Sequence, residues 1–239
     1  MLSAPWYKFK AYFLKQFFYN LCVIFLLLAI ITGCSRKRNS FISRNFHAVG
    51  TEYNVLYNGN LALQAGLDGL EQTYRDNYWE VLPVERMTTK NQVFLPGEKP
   101  ADPNFERAEE KAVKAVQKHS MLINEIEYNM QIDESYMLLG KARYYDQRFI
   151  PALEALNYVL QFMPECDQIN QAKVWRERTN MRLNNNETAI KNLKKLLKEE
   201  SGTIAMEDLA IANATLSQAF LNLEQVDSAL VYMNLSLIQ

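Results

Sequence analysis

Histidine occurs only at His47 and His119, and cysteine only at Cys22, Cys34 and Cys166. Two distant histidines with no cysteine beside them do not supply the four clustered ligands of a structural zinc site. Glycine and proline are scarce, 8 and 7 of 239 residues, which argues against β-rich, collagenous and low-complexity chains. No nucleophile elbow, phosphate loop or dinucleotide fingerprint is present. Without a nucleophile, base and orienter to assemble, the expectation is a protein that is not an enzyme and carries no metal and no cofactor. The acidic pairs Glu109-Glu110 and Glu199-Glu200 read as solvated helix surface. A near-balanced charge, 26 basic against 27 acidic residues, gives no field for nucleic acid.

The positive signals begin at the N-terminus. Lys8, Lys10 and Lys15 precede an uncharged run, Phe17 to Cys34, whose densest apolar part is Leu21 to Ile31. A positive segment followed by a short apolar one is the layout of a secretory signal. Spanning a bilayer is marginal, because about 20 predominantly apolar residues are needed and Tyr19, Asn20, Thr32 and Gly33 dilute the ends. The ending Ile31-Thr32-Gly33-Cys34 resembles the lipobox of bacterial lipoprotein signal peptides. That resemblance implies cleavage of residues 1–33 and a membrane anchor of diacylglycerol on the Cys34 thiol, against the alternative of an uncleaved apolar anchor. Two or three acyl chains on one residue hold stably where one would not. Ser35 in second place permits sorting to the outer membrane by the rule for well-studied lipoproteins. The adjoining Arg36, Lys37 and Arg38 read either as a phosphate-facing cluster or as a solvated tether. Cleavage lowers the basic count to 23 and the net charge to −4, and it leaves Cys166 as the one free thiol, so packing must supply the stability.

Residues 34–60 read as a lipid-proximal linker that docks on the rest. Tyr53, Val55 and Tyr57 alternate as in a short strand, and Asn58-Gly59-Asn60 punctuates it. Residues 61–103 read as a helix plus irregular connection. Leu63, Leu67, Leu70 and Tyr74 lie at helical spacing, and Pro83, Pro96, Pro100 and Pro103 break any long element in the connection. Asp102-Pro103 forms a cap and first-turn proline, and almost everything in residues 104–239 reads as helix.

That helical part repeats. In "DESYMLLGKARYYDQRFIPALEALNYVLQFMP", Tyr136, Leu139, Gly140, Ala152, Leu156 and Pro164 fall at tetratricopeptide offsets. Gly140 and Ala152 must be small where two helices approach, and Pro164 stops the second helix. Arg143 stands where tyrosine is expected. The second-helix pattern recurs as Ala112/Val116, Ala152/Leu156, Ala189/Leu193 and Ala229/Met233, at intervals of 40, 37 and 40 residues. The expected fold is all-α, a tetratricopeptide-like α-solenoid, against the alternative of an ordinary amphipathic bundle. The apolar ending at Leu235, Leu237 and Ile238 lacks a polar cap, so the chain is expected to be truncated at Gln239.

Two smaller features have two readings each. Asp227-Ser228-Ala229 resembles a bacterial O-glycosylation acceptor and equally an N-cap. Trp175 with Arg176 and Arg178 reads as a core anchor or as an exposed binding patch.

The lipobox, "FISRNFHAVGTEYNVLYNGNLAL" and "YRDNYWEVLPVER" together resemble the N-terminal part of the SprE/PorW family, tetratricopeptide lipoproteins of gliding motility and type IX secretion. Arg44, Asn45, Phe46, His47, Tyr53, Asn54, Tyr57, Asn58, Gly59 and Asn60 carry the first part. Tyr78, Trp79, Glu80, Leu82, Pro83, Val84 and Glu85 carry the second. The resemblance covers Cys34 to about Arg86 and continues more loosely. It implies a noncatalytic scaffold in the outer membrane, facing the periplasm, whose protein partners are components of the translocon and of the periplasmic secretion ring. A glycan-binding lipoprotein and a barrel-assembly accessory lipoprotein, both with such helices, are the alternatives.

Overall fold

The computed structural model describes residues 12–24, 35–87, 102–200 and 202–238. Residues 12–24 lie in a helix, α1. Ile31, Thr32, Gly33 and Cys34 lie outside the described residues, as does most of the connection containing Pro96 and Pro100. Among the described residues no helix is long and apolar enough to cross a membrane.

Among the described residues from Ser40 onward the secondary structure is all helical apart from one small hairpin. The helices are α2 (Phe41–Val49), α3 (Tyr57–Thr73), α4 (Pro103–His119), α5 (Ile132–Tyr145), α6 (Phe149–Phe162), α7 (Ile169–Arg182), α8 (Asn186–Glu200), α9 (Met206–Asn222) and α10 (Val226–Ile238). Each packs on the next in chain order from α3 to α10, with the irregular connection intervening between α3 and α4. The first helices of successive pairs, α3, α5, α7 and α9, also touch one another. This one-dimensional stacking of helix pairs is consistent with a helical solenoid. Across pairs the first helices approach one another more closely than the second helices do, and the face they line is here the inner face.

The turns inside the pairs repeat atom for atom in their hydrogen bonding. Gln147, Asn184 and Glu224 each have positive φ, 64°, 62° and 60°. The next residue's amide reaches back to Arg143, Asn180 and Phe220 respectively, at 2.9 Å in all three turns. The left-handed residue's own amide reaches Tyr144, Met181 and Leu221. These are three Schellman-type ends, which satisfy the last carbonyls of each first helix. Their spacing of 37 and 40 residues is that of the alanine pattern.

In the α5–α6 unit the two helices meet at their small residues. A Cβ on Gly140 would lie 2.9 Å from Leu156 Cδ2 and 3.7 Å from the Ala152 carbonyl oxygen, so only glycine admits this approach. Ala152, Leu156, Ala189 and Ala229 are buried, as are Leu139 and Ala112. Tyr136 stacks on Tyr158 with ring centroids 4.1 Å apart, and Pro164 comes just after the end of α6 at Phe162. Asp102 caps α4, accepting from the Asn104 and Phe105 amides, with Pro103 at the first position.

The strand expected over Tyr53–Tyr57 is absent. Residues Gly50–Leu56 form a π-helical segment that joins α2 to α3 without a break. In a strand Tyr53, Val55 and Tyr57 would share a face; instead Val55 is 2 % exposed and the two tyrosines 65 % and 61 %. The buried positions Ser43, His47, Thr51, Val55 and Gly59 recur every four residues, a helical period that the aromatic alternation masks. Gly59 is no turn signal: a Cβ there would stand 2.5 Å from Leu138 Cδ2. The Thr51 hydroxyl donates to the His47 carbonyl at 2.7 Å, while the Tyr57 amide bonds to Glu52, five residues back. The linker residues that are described do dock, with Arg36 donating to the Gln117 carbonyl.

A two-residue antiparallel ladder, β1 (Leu122–Ile123) and β2 (Ile126–Glu127), interrupts a region that reads as helix in the sequence. Asn124 and Glu125 both have positive φ, the backbone of a type I′ turn. Glu127 holds it, accepting from the Ser120 hydroxyl at 2.6 Å and from the Met121 and Asn129 amides at 2.7 and 2.9 Å.

Candidate functional site

The inner face of the array is a groove lined by Leu67 and Leu70 of α3, Tyr145 of α5, Arg178, Met181 and Arg182 of α7, and Ile211, Thr215 and Gln218 of α9. All are on first helices. A segment of the chain itself lies in it. After α3 ends at Thr73, with Tyr74 extended, residues 74–87 return across the groove. Pro83 cannot donate to a helix, and no regular structure forms over 74–87.

Glu85 fixes this strap. Its carboxylate accepts from the Tyr144 hydroxyl at 2.6 Å and from the guanidinium groups of Arg178 and Arg182. The Arg182 Nε also donates to the Tyr144 oxygen at 3.0 Å. On one side of Glu85 the Val84 amide donates to Gln218 Oε1 at 2.8 Å. On the other, Met87 is buried in the cluster of Met137, Tyr144, Phe149 and Trp175. Burial alone would raise the Glu85 pKa, but Arg178, Arg182 and the Tyr144 hydrogen bond together hold it below the ordinary carboxylate range. Arg178 lies over the Trp175 ring at 4.5 Å and over Tyr144 at 5.2 Å. A guanidinium stacked on rings keeps its fork free for a carboxylate.

Trp175 is therefore a core residue, 4 % exposed, and the Trp175–Arg178 patch is not a surface. The most exposed aromatics among the described residues are Tyr78 and Trp79, 79 % and 97 % exposed, where the chain enters the strap.

Glu109, expected on a solvated face, sits in a second ionic cluster. It accepts from Arg143 Nε at 2.8 Å and from Arg148, which also donates to Asp146 at 2.7 Å. Burial pushes Glu109 up and the hydrogen bonds from Arg148 and Arg143 push it further down, so it stays ionised. The cluster ties α4 to the α5–α6 turn. Arg143, which takes the place of the expected tyrosine, is there for that contact.

His47 and His119, distant in sequence, meet with Nδ1 atoms 3.2 Å apart. Burial, then His47 and the nearby Lys114 and Arg36, lower the His119 pKa. Cys166 is half-buried, and burial and Asp133 push its thiol up to about 11, far from a nucleophile's range. Burial and Asp133 likewise push Glu134 up to about 8. Among the described residues no group of three or more His, Cys, Asp or Glu is placed to hold a metal ion.

The sequence does not mark the strap and its arginines as a site. Glu85 stands there within an irregular proline-containing connection. Arg178 and Arg182, four apart, are the available signal, since i and i+4 put both guanidinium groups on one helix face. No protein-family model matches the chain, and no curated protein matches it.

Proposed function

We propose that the protein is a noncatalytic scaffold, a tetratricopeptide-like lipoprotein held at the outer membrane through lipid on Cys34. In this reading it faces the periplasm and links the type IX translocon to the periplasmic ring. The observation that carries the scaffold part is the inner groove, which takes a non-helical peptide segment by one backbone amide, one carboxylate and one apolar side chain; stacked helix pairs engage protein segments in such grooves. The lipobox and the resemblance of residues 34–86 to the SprE/PorW family support the location and the partners. The test is crosslinking of the native protein in membranes and mass spectrometry of the captured proteins. Recovery of secretion-ring and translocon components is expected, and recovery of a nutrient transporter or barrel-assembly machinery alone would overturn the assignment.

A second reading, glycan capture at the cell surface, draws on Tyr78 and Trp79, whose rings stand free as a sugar-stacking platform would. Protease treatment of intact cells separates the two: protection is expected for the scaffold, cleavage for glycan capture.

A further inference from the structure

We propose that Val84–Met87 is a displaceable in-cis ligand of the inner groove, and that the groove receives in trans a non-helical protein segment presenting one carboxylate between apolar residues. The inference rests on the groove alone, not on lipidation or on the secretion assignment.

Four observations carry it. First, the strap is held as a bound peptide is held. Its anchors are one backbone amide to Gln218, one carboxylate and one buried methionine, and within Val84–Met87 the backbone bonds to itself from the Met87 amide to the Glu85 carbonyl at 2.8 Å.

Second, the groove presents two cations to the segment that lies in it, and with the strap in place they are nearly buried. The side chains of Arg178 and Arg182 are only 14 % and 10 % exposed. Among the described residues, Glu71 is the one acidic side chain lining the groove outside the strap, and it takes no part in the network around the arginines. Two buried guanidinium groups need a carboxylate partner, so a segment that displaced the strap must bring one.

Third, the strap does not fill the space. A cavity of about 410 Å³ remains beside it, with apolar walls from Leu67, Leu70, Met181 and Ile211. Arg86 of the strap turns away to pair with Asp76 at 3.4 Å. A partner with a bulky apolar residue next to its carboxylate gains burial that the strap forgoes.

Fourth, the strap's approach is open. Tyr78, Trp79 and Val81 are more than three-quarters exposed, so nothing described covers the segment from which the strap would be lifted.

A tethered ligand competes at an effective concentration near the millimolar range. If the strap occupies the groove nine-tenths of the time or more, a peptide in trans binds the parent chain about tenfold or more weakly than a chain whose strap is disabled. The experiment uses the full chain purified in detergent and a labelled peptide of residues 79–87, WEVLPVERM, read by fluorescence anisotropy. The peptide is expected to bind Glu85→Gln at least about tenfold tighter than the parent. A peptide with Gln in place of Glu85 and with Glu80 kept is expected not to bind, and Arg182→Gln in the Glu85→Gln chain is expected to abolish capture. In the parent, saturating peptide is expected to speed amide exchange of Val84–Met87 and leave α5 and α7 unchanged. A folded Glu85→Gln chain that does not bind the peptide overturns the proposal and makes the strap a fixed part of the core. A Glu85→Gln chain that fails to fold also overturns it, because an exchangeable ligand is not required for folding. Equal binding by the Gln peptide would overturn the carboxylate requirement.

Discussion

Two glycines three residues apart in α3 should respond to alanine with opposite signs. At Gly66 an added Cβ would stand 2.4 Å from Cε1 of Phe105 and 2.8 Å from Cδ1 and Cζ, whereas at Gly69 nothing lies within 4 Å. Removing glycine from a helix interior gains about 1 kcal/mol at either place. At Gly69 that gain is unopposed. At Gly66 the ring is 1 % exposed, packed beneath Tyr145 with centroids 6.0 Å apart, and cannot swing aside, so α3 must lift from α4. Overpacking of this kind costs about 1–3 kcal/mol, and with three ring atoms inside contact distance the upper end applies. The net expectation is about 1–2 kcal/mol of destabilisation for Gly66→Ala and about 1 kcal/mol of stabilisation for Gly69→Ala. For a chain of this size each kcal/mol moves the midpoint by about 2–4 °C. Thermal and urea unfolding of both variants beside the parent measure this directly. A Gly66→Ala chain as stable as the parent would refute the reasoning, since it would mean that α3 and α4 do not meet as described.

Glu109→Ala strands Arg148 and Arg143 in a nearly buried site and should cost about 3 kcal/mol in urea unfolding, with Glu109→Gln milder. Because Glu85 is held below its ordinary pKa, its contribution is complete above about pH 4.5 and lost as the pH falls through its lowered folded value; strap amide exchange monitored from pH 7 to 3 should accelerate only at the acid end. His119 is also lowered, so its contribution is full above about pH 6.5 and falls as the pH drops below that. His119→Gln should flatten the stability profile between pH 7 and 5. Glu134 has the opposite sign: raised to about 8, it contributes at low pH, and stability declines as the pH rises from about 4.5 through 8. Glu134→Gln should remove that decline. Cys34→Ala should abolish incorporation of labelled palmitate and release the protein from the outer-membrane fraction, and unchanged labelling would refute lipidation at that residue.

The helix pairs are legible in the sequence because their signals are local. A small residue must sit where two helices approach, and Gly140, Ala152, Ala189 and Ala229 recur accordingly; Asp102-Pro103 caps α4 by a mechanism confined to three residues. The 40–60 region misleads for an equally physical reason. Its aromatic residues face outward, so the strongest apolar signal lies on the wrong side of the helix, while the true packing face joins serine, histidine, threonine and glycine to Val55 and Leu56. The ionic clusters are illegible because their partners are far apart in the chain: Glu85 meets Arg178, 93 residues on, and Arg182, 97 residues on. Nothing in the residues around Glu85 distinguishes a carboxylate in a solvated loop from one seated between two arginines. Glu109 beside Glu110 looks like surface for the same reason.

The π-helical segment Gly50–Leu56 sets a phase. In a regular α-helix a spacing of four residues overshoots one turn by about 40°, so Ser43, His47, Thr51, Val55 and Gly59 would wind around the axis and leave the core. The wider π turn undershoots, and the two drifts cancel. Such a bulge acts as a single inserted residue, so removing one residue within Gly50–Leu56 would let the segment relax to α-helix with the phase on either side kept. Were all seven residues to wind as α-helix instead, α2 would rotate by about 100°, carrying His47 away from His119 and turning Phe46 and Val49 to a different direction. The bulge is thus an angular setting, written into one residue's excess length, that fixes how α2 is aimed relative to the stacked pairs.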